Sequence, residues 1–170
     1  MNETIQSAVD GLTKKFNAKV EEFRGEITVT VAPEMIIPVL TTLRDEYQFN
    51  MMMDATAVDY YPQENPRFHV IYQMYSMPDN VRLMVRLHLN GNAPKLDSVE
   101  KVFPVANWKE REIYDLFGIQ FTGHPDLRRV VMPEDWTGHP LRKDYPLGYE
   151  EVQFTFNFDE IMVHKPHPKD

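Results

Sequence analysis

Three groups of side chains have types and spacings that could do chemistry. The first is acidic: Glu110, Glu112 and Asp115 lie close together in ANWKEREIYDLFG. Acid–base catalysis needs carboxylates that converge on one reacting atom. Glu110 and Glu112 are two apart, so on a helix they point to different faces. The second group is His124 and His139, each in a Gly-His-Pro context. A metal needs convergent ligands, and neither spacing matches a zinc pattern. The expectation is that both act as loop anchors that hydrogen-bond backbone, and that His164 and His167 belong to a solvated tail. The third group is basic: Arg128, Arg129, Arg142 and Lys143. A phosphate site would pair such residues with a Gly-rich loop, and neither GxGxxG nor GxxxxGK[ST] occurs. Asp126, Glu134, Asp135 and Asp144 stand close enough in sequence to neutralise them. Arginine suits bidentate pairing with carboxylates, so a protein–protein or loop-ordering role is preferred.

Composition removes other classes. The 170-residue chain has no cysteine, which excludes disulfides, thiolate nucleophiles and Cys-ligated iron–sulfur clusters. Its net charge of −8 argues against general nucleic-acid binding. The N-terminus lacks a secretory pattern, and no apolar run approaches the roughly 18 residues of a membrane span. The expectation is a soluble, cytoplasmic protein that meets a membrane only through partners.

The elements that must position these residues are partly visible. Ile5, Ala8, Val9, Leu12 and Phe16 fall on one helical stripe, followed after Gly25 by an alternating strand at Ile27, Val29 and Val31. Pro33 or Pro38 opens a second helix through Leu43. Met51–Val58 reads as a short strand or turn. Phe68–Met74 and Val81–Leu89 alternate around SMPDN, which predicts an antiparallel hairpin. Arg82, Arg86 and His88 share its other face, which is wet or meets an acidic partner. Ser98 is placed to cap a short helix ending before Pro104. Asn107 and Glu110 form a capping-box pattern, and Gly118 a left-handed stop, for a helix over Trp108–Phe117. On that helix Arg111 and Asp115 are spaced to pair. Beyond Ile119 the periodicity fades into a long Pro/Gly/His/Arg segment, of a kind that is often functional. Val152, Phe154, Phe156 and Phe158 then alternate in an extended pattern that needs a cover. The fold class is α+β: a mixed or antiparallel sheet with helices on one side, a long non-periodic segment and an extended C-terminal tail. Residues 1–148 form the globular domain and 149–170 a partner-docking tail.

One stretch carries a resemblance. EREIYDLFGIQFTGHPDLRRVV, with Glu110, Arg111, Glu112, Asp115, Leu116, Phe117, His124, Arg128, Val130 and Val131 at fixed spacing, resembles the signature of the C subunit of respiratory complex I. PLRKDYPL, with Arg142, Asp144 and Tyr145, is similar to the family's continuation, as are DATAVDYYP and ANW upstream. The likeness runs from about Met51 to Leu147. It implies a non-catalytic, cofactor-free component of the peripheral arm of NADH:quinone oxidoreductase, in the unfused form. That complex passes electrons from NADH through FMN and iron–sulfur clusters, held by partner subunits, to quinone and couples this to proton translocation. The implied partners are the quinone-site D subunit and neighbouring iron–sulfur subunits, on the cytoplasmic side of the cell membrane. Glu110, Arg111, Glu112, Asp115, His124, Arg128, Arg129, Arg142, Asp144, Tyr145, Phe154 and Phe156 are the candidate partner-binding or loop-ordering residues; none is assigned to catalysis, cofactor or metal. The alternatives are the equivalent component of a related membrane-bound hydrogenase or ferredoxin-dependent complex, and a stand-alone acid–base enzyme using Glu112 or Asp115 with His124.

Overall fold

A computed structural model of the chain describes residues 3–146 and 154–164. Helix α1 (Glu3–Phe16) buries Ala8, Val9 and Leu12, the stripe its 3.6-residue spacing requires. Strands β1 (Lys19–Phe23) and β2 (Glu26–Val31) follow as an antiparallel hairpin. The sequence pattern misses β1, because KVEEF is exposed at every position and shows no alternation. A 3-10 turn over Pro33–Met35 leads into α2 (Ile36–Glu46). Pro38 sits in the first turn of α2, where a missing N–H leaves nothing unpaired.

Strands β3 (Met51–Asp59), β4 (Phe68–Ser76) and β5 (Val81–Leu89) form an antiparallel meander. The last of these pairs in parallel with β2, giving one mixed sheet in the order β1-β2-β5-β4-β3. Phe68, Val70, Tyr72 and Met74 on β4 share one core with Val85 and Leu87 on β5, Leu12 on α1, and Leu40 and Leu43 on α2. Helix α3 (Ala106–Phe117) adds Ile113 and Phe117 to the same core, so these three helices cover one face of the sheet. The α+β class with a mixed sheet is as expected from the sequence.

Two short strands, β6 (Lys95–Asp97) and β7 (Gln120–Thr122), pair in parallel and bracket α3. Residues 100–102 form a turn, in place of the short helix expected after Ser98. Within the expected extended tail, residues 155–157 form a turn and α4 (Phe158–His164) a helix; Val152 lies outside the described residues. Among the described residues no helix is long and apolar enough to cross a membrane.

Candidate functional site

Helix α3 and the irregular segment after it form a single unit, centred on Asp115. This carboxylate has no exposed surface. Its Oδ1 accepts from Arg129 Nη1 at 2.5 Å, and its Oδ2 accepts from the backbone N–H groups of Val130, Val131 and Met132 at 3.0, 2.8 and 2.8 Å. Three successive N–H groups converging on one oxygen make an anion nest. Burial alone would raise this pKa; the hydrogen bonds from Met132, Arg129, Val131 and Val130 outweigh it and hold the carboxyl below its ordinary value. The expected pairing of Asp115 with Arg111 along the helix does not form. Instead Arg111 donates to the carbonyls of Arg128 and Arg129 at 3.1 and 3.4 Å and lies over the ring of Trp108.

The same segment closes the C-terminal end of α3. Gly118, at φ +76°, donates its N–H to the Tyr114 carbonyl. His139 Nδ1 donates to the Asp115 carbonyl at 2.9 Å, and Leu141 N–H donates to Leu116 O at 3.0 Å. Arg129 also donates to the carbonyls of Trp136 and Gly138, both at 2.9 Å. Its cation stands near the negative end of the helix dipole. His124 accepts from the Asp126 N–H through Nδ1 at 3.0 Å, which places the ring proton on Nε2, 3.0 Å from the Asn107 carbonyl.

Glu110 takes a place the sequence did not suggest. Val105 is the N-cap of α3 and makes no side-chain cap; Asn107 lies inside the first turn, so the capping box does not form. Glu110 is fully buried and accepts from Ser98 Oγ at 2.6 Å and from Val99 N–H at 2.8 Å. It therefore binds the end of β6 to the helix rather than closing the helix start or making surface ion pairs. Burial pushes its pKa up to about 7, against the opposing hydrogen bonds from Ser98 and Val99.

A second cluster ties residues 142–145 to the sheet. Arg67, 1% exposed, donates Nε and Nη2 to the buried Asp59 carboxylate, both at 2.9 Å. Its Nη2 also reaches Asp144 at 2.8 Å, and its Nη1 donates to the Asn92 side chain. Lys143 N–H donates to Asp59 at 2.9 Å, while Arg142 pairs with Asp144 and donates to the Asn92 carbonyl. Hydrogen bonds from Arg142 and then Arg67 hold Asp144 well below the usual carboxylate range. The Tyr145 hydroxyl donates to the Thr137 carbonyl at 3.2 Å. Sequence reasoning misses Asp59, Arg67 and Asn92, and gives Ser98 a helix cap where the structure gives it a bond to Glu110. For the first two a signal exists: opposite charges close the loop between β3 and β4.

The structure thus gathers Arg111, Asp115, His124 and Arg129 around α3, and Arg142 and Asp144 around Arg67. Glu112 stays at the surface beside Lys109, Arg128 pairs with Asp126 in solvent, and Phe154 stacks on Phe156 at 5.4 Å with both rings exposed. No group of three or more potential metal ligands occurs among the described residues. The acid–base alternative needs an open carboxylate beside His124. Asp115 is instead sealed by its donors, Glu112 is open but pairs with Lys109, and both His124 ring nitrogens face backbone atoms.

Comparison with known proteins gives a consistent picture. Residues 29–151 match the family described as "Respiratory-chain NADH dehydrogenase, 30 Kd subunit". The chain is 49% identical over 151 residues to the NADH-quinone oxidoreductase C subunit of Roseiflexus sp. (strain RS-1), covering 88% of this chain and 86% of that one. It is 50% identical over 143 residues to the protein of the same name from Geobacter sulfurreducens, covering 82% and 88%. Among solved structures, the trypsin-resistant fragment (1-134) of Nqo5 superposes with a TM-score of 0.66 at 32% identity, over 73% of this chain and 99% of that one. A chain of the membrane-bound sulfane sulfur reductase, an archaeal respiratory membrane complex, shares the fold with a TM-score of 0.74 at 20% identity, over 99% and 95%.

Proposed function

The chain belongs to the respiratory-chain NADH dehydrogenase 30 Kd subunit family, and we propose that it serves as a non-catalytic structural component in the peripheral arm of NADH:quinone oxidoreductase. The observation that carries the structural role is the closure of Asp115. The most chemically suggestive carboxylate of the motif is spent on internal hydrogen bonds, where a catalytic one would face substrate. A cysteine-free sequence offers no thiolate to hold an iron–sulfur cluster; on this proposal the clusters and FMN sit on partner subunits.

Loop ordering falls to Asp115, Arg129, His124, Arg142 and Asp144. The α3 unit presents outward what remains exposed on it: Trp108, Glu112, Arg128 and Val131. An exposed Trp beside an Arg is the composition of a protein interface. This surface packs on the quinone-site D subunit, near the iron–sulfur subunits, on the cytoplasmic side of the membrane. The tail from about residue 149 docks on a partner too; the exposed Phe154–Phe156 stack supports this.

Affinity recovery of the chain from detergent-solubilised membranes tests the proposal. The expected result is a multi-subunit assembly with NADH:quinone activity and iron–sulfur absorbance, from which the separated chain is colourless and inactive. A chain that comes down alone and carries an activity or a bound cofactor overturns it.

A further inference from the structure

The helices α1–α3 cover one face of the sheet. On the opposite face β5 directs Arg82, Met84, Arg86 and His88, paired in register with Tyr75, Gln73, Ile71 and His69 of β4. Neither strand contains an acidic residue, although the chain as a whole carries a net charge of −8. Counter-charges sit at the edges of this face: Glu21 on β1, 3.8 Å from Arg86 and itself largely exposed, and Asp54 on β3, in register with Gln73 and paired with Lys109. His69 and His88 stack at 4.1 Å, with Tyr60 on the other side of His69 at 4.3 Å. Nδ1 of His69 and Nε of Arg86 are buried without a hydrogen-bond partner among the described residues. Both atoms lie below the surface; what a partner can reach on this face is the exposed Arg82 and His88 and the 27% of the Arg86 side chain that stays open. Burial first, and then the neighbouring His88 and the Arg86 cation, push His69 down to about 4. Met84 and Ile71 lie half-buried among these groups, giving the centre an apolar floor.

We infer that this face of β4 and β5, centred on Arg86, docks an acidic surface of a neighbouring protein in the complex, whose carboxylates meet Arg82, Arg86 and His88. The inference rests on the proposed place of the chain in a multi-subunit complex. Charge complementarity selects both the occupant and its position. An acidic surface is attracted to Arg82 and Arg86 on β5, whereas the β1 edge of the same face carries both signs, Lys19 and Glu21. Apolar contact surrounded by Arg is also how tight interface centres are built.

The test uses the whole assembly, recovered through a tag on this chain at rising salt, with Arg82→Glu and Arg86→Glu introduced together. Wild-type chain brings down its companion subunits. The double variant recovers at least one of them at a level reduced at least about tenfold at low salt, while the thermal unfolding midpoint of the isolated chain stays near that of wild type. Arg82→Gln alone, at an exposed position, gives a smaller loss that vanishes at high salt; it carries the test if the double variant does not fold. Recovery of every companion at wild-type yield and salt tolerance by both variants overturns the inference and leaves the assembly reading standing. A wild-type chain that recovers no companion overturns the assembly reading, and the inference with it. Self-association of the isolated wild-type chain, abolished by the same substitutions, also overturns it. So does binding of the isolated chain to phosphatidylserine vesicles that depends on Arg82 and Arg86.

Discussion

The Asp115 carboxylate and the Arg129 guanidinium meet 2.5 Å apart, 14 residues apart in sequence, with Asp115 wholly removed from solvent. Around this pair α3 and the segment after it become one body. Replacing Asp115 by Ala strands the Arg129 cation and leaves three backbone donors without their acceptor. The expected cost is about 3–5 kcal/mol of folding stability, read as a lower urea midpoint of the isolated chain. Asp115→Asn keeps the shape and falls between wild type and Ala. Wild-type stability in Asp115→Ala would show that the segment is held by other contacts.

Arg67 and Asp59 form a second buried pair, both almost without exposure. Arg67→Ala leaves Asp59 charged and buried, at a cost of about 3–5 kcal/mol. Arg67→Met with Asp59→Asn removes both charges and recovers much of that loss, giving a positive coupling in a double-mutant cycle. Because Lys143 donates to Asp59 and Asp144 pairs with Arg67, either single change also speeds hydrogen exchange at the Lys143 amide.

Acid and base act on this fold with opposite signs. Asp59, Asp115 and Asp144 have lowered folded pKa values, so their contribution is present above the unfolded value of about 3.9 and is lost as pH falls through the lower folded values. Glu110 has a raised pKa of about 7. Between its unfolded value, about 4.3, and 7 the folded state holds a proton that the unfolded state has released. The Glu110 contribution therefore declines as pH rises through that window, by roughly 4 kcal/mol in all. His69, pushed down to about 4, and His88, also lowered, act the other way: their contribution grows as pH rises toward the unfolded value of about 6.5. The Glu110 share is therefore read as the difference in unfolding midpoint between wild type and Glu110→Gln from about pH 3 to 9; a difference that does not change with pH between about 4.3 and 7 contradicts the assignment.

Tyr72 is fully buried with a hydroxyl that has no hydrogen-bond partner among the described residues, and the Glu110 charge raises its pKa further beyond the effect of burial. Tyr72→Phe removes that hydroxyl and keeps the ring. The chain is expected to gain about 1 kcal/mol, seen as a higher denaturation midpoint with an unchanged slope.

Gly118 has φ +76°, and a Cβ there would come within 2.6 Å of the His139 ring. Gly118→Ala therefore meets two obstacles at once, a left-handed backbone and a ring that caps the helix. The expected loss is at least about 1–2 kcal/mol, with the His139 imidazole resonances displaced in the NMR spectrum.

How much of this is legible in the sequence follows from how local each signal is. The β4–β5 hairpin alternates over its full length and α1 buries one helical stripe, so both appear in the pattern. Strand β1 buries nothing, and β6 and β7 are short strands that pair with each other across the whole of α3. Neither situation leaves a periodic trace. The Gly118 stop is visible because a left-handed cap depends on one residue type. The Glu110 role is not: a Glu three residues after an Asn looks the same whether it caps a helix or is buried against the end of a distant strand. Asp115 likewise offers Arg111 at helical spacing, while its true partner lies beyond a loop whose path no local pattern encodes. His124 and His139 contact backbone carbonyls, as their Gly-His-Pro settings suggest.

The bond from the Lys143 amide to Asp59 spans 84 residues. A chain emerging from the ribosome makes roughly 5–20 residues per second. The β3–β4 hairpin is thus made on the order of ten seconds before the strand of backbone that completes its acid–arginine pair exists. During that interval Asp59 and Arg67 have each other, the Tyr61 amide and the Asn92 side chain, while water fills the places later taken by the Lys143 amide and Asp144. The newborn sheet carries an open, hydrated seam at a place the finished protein closes.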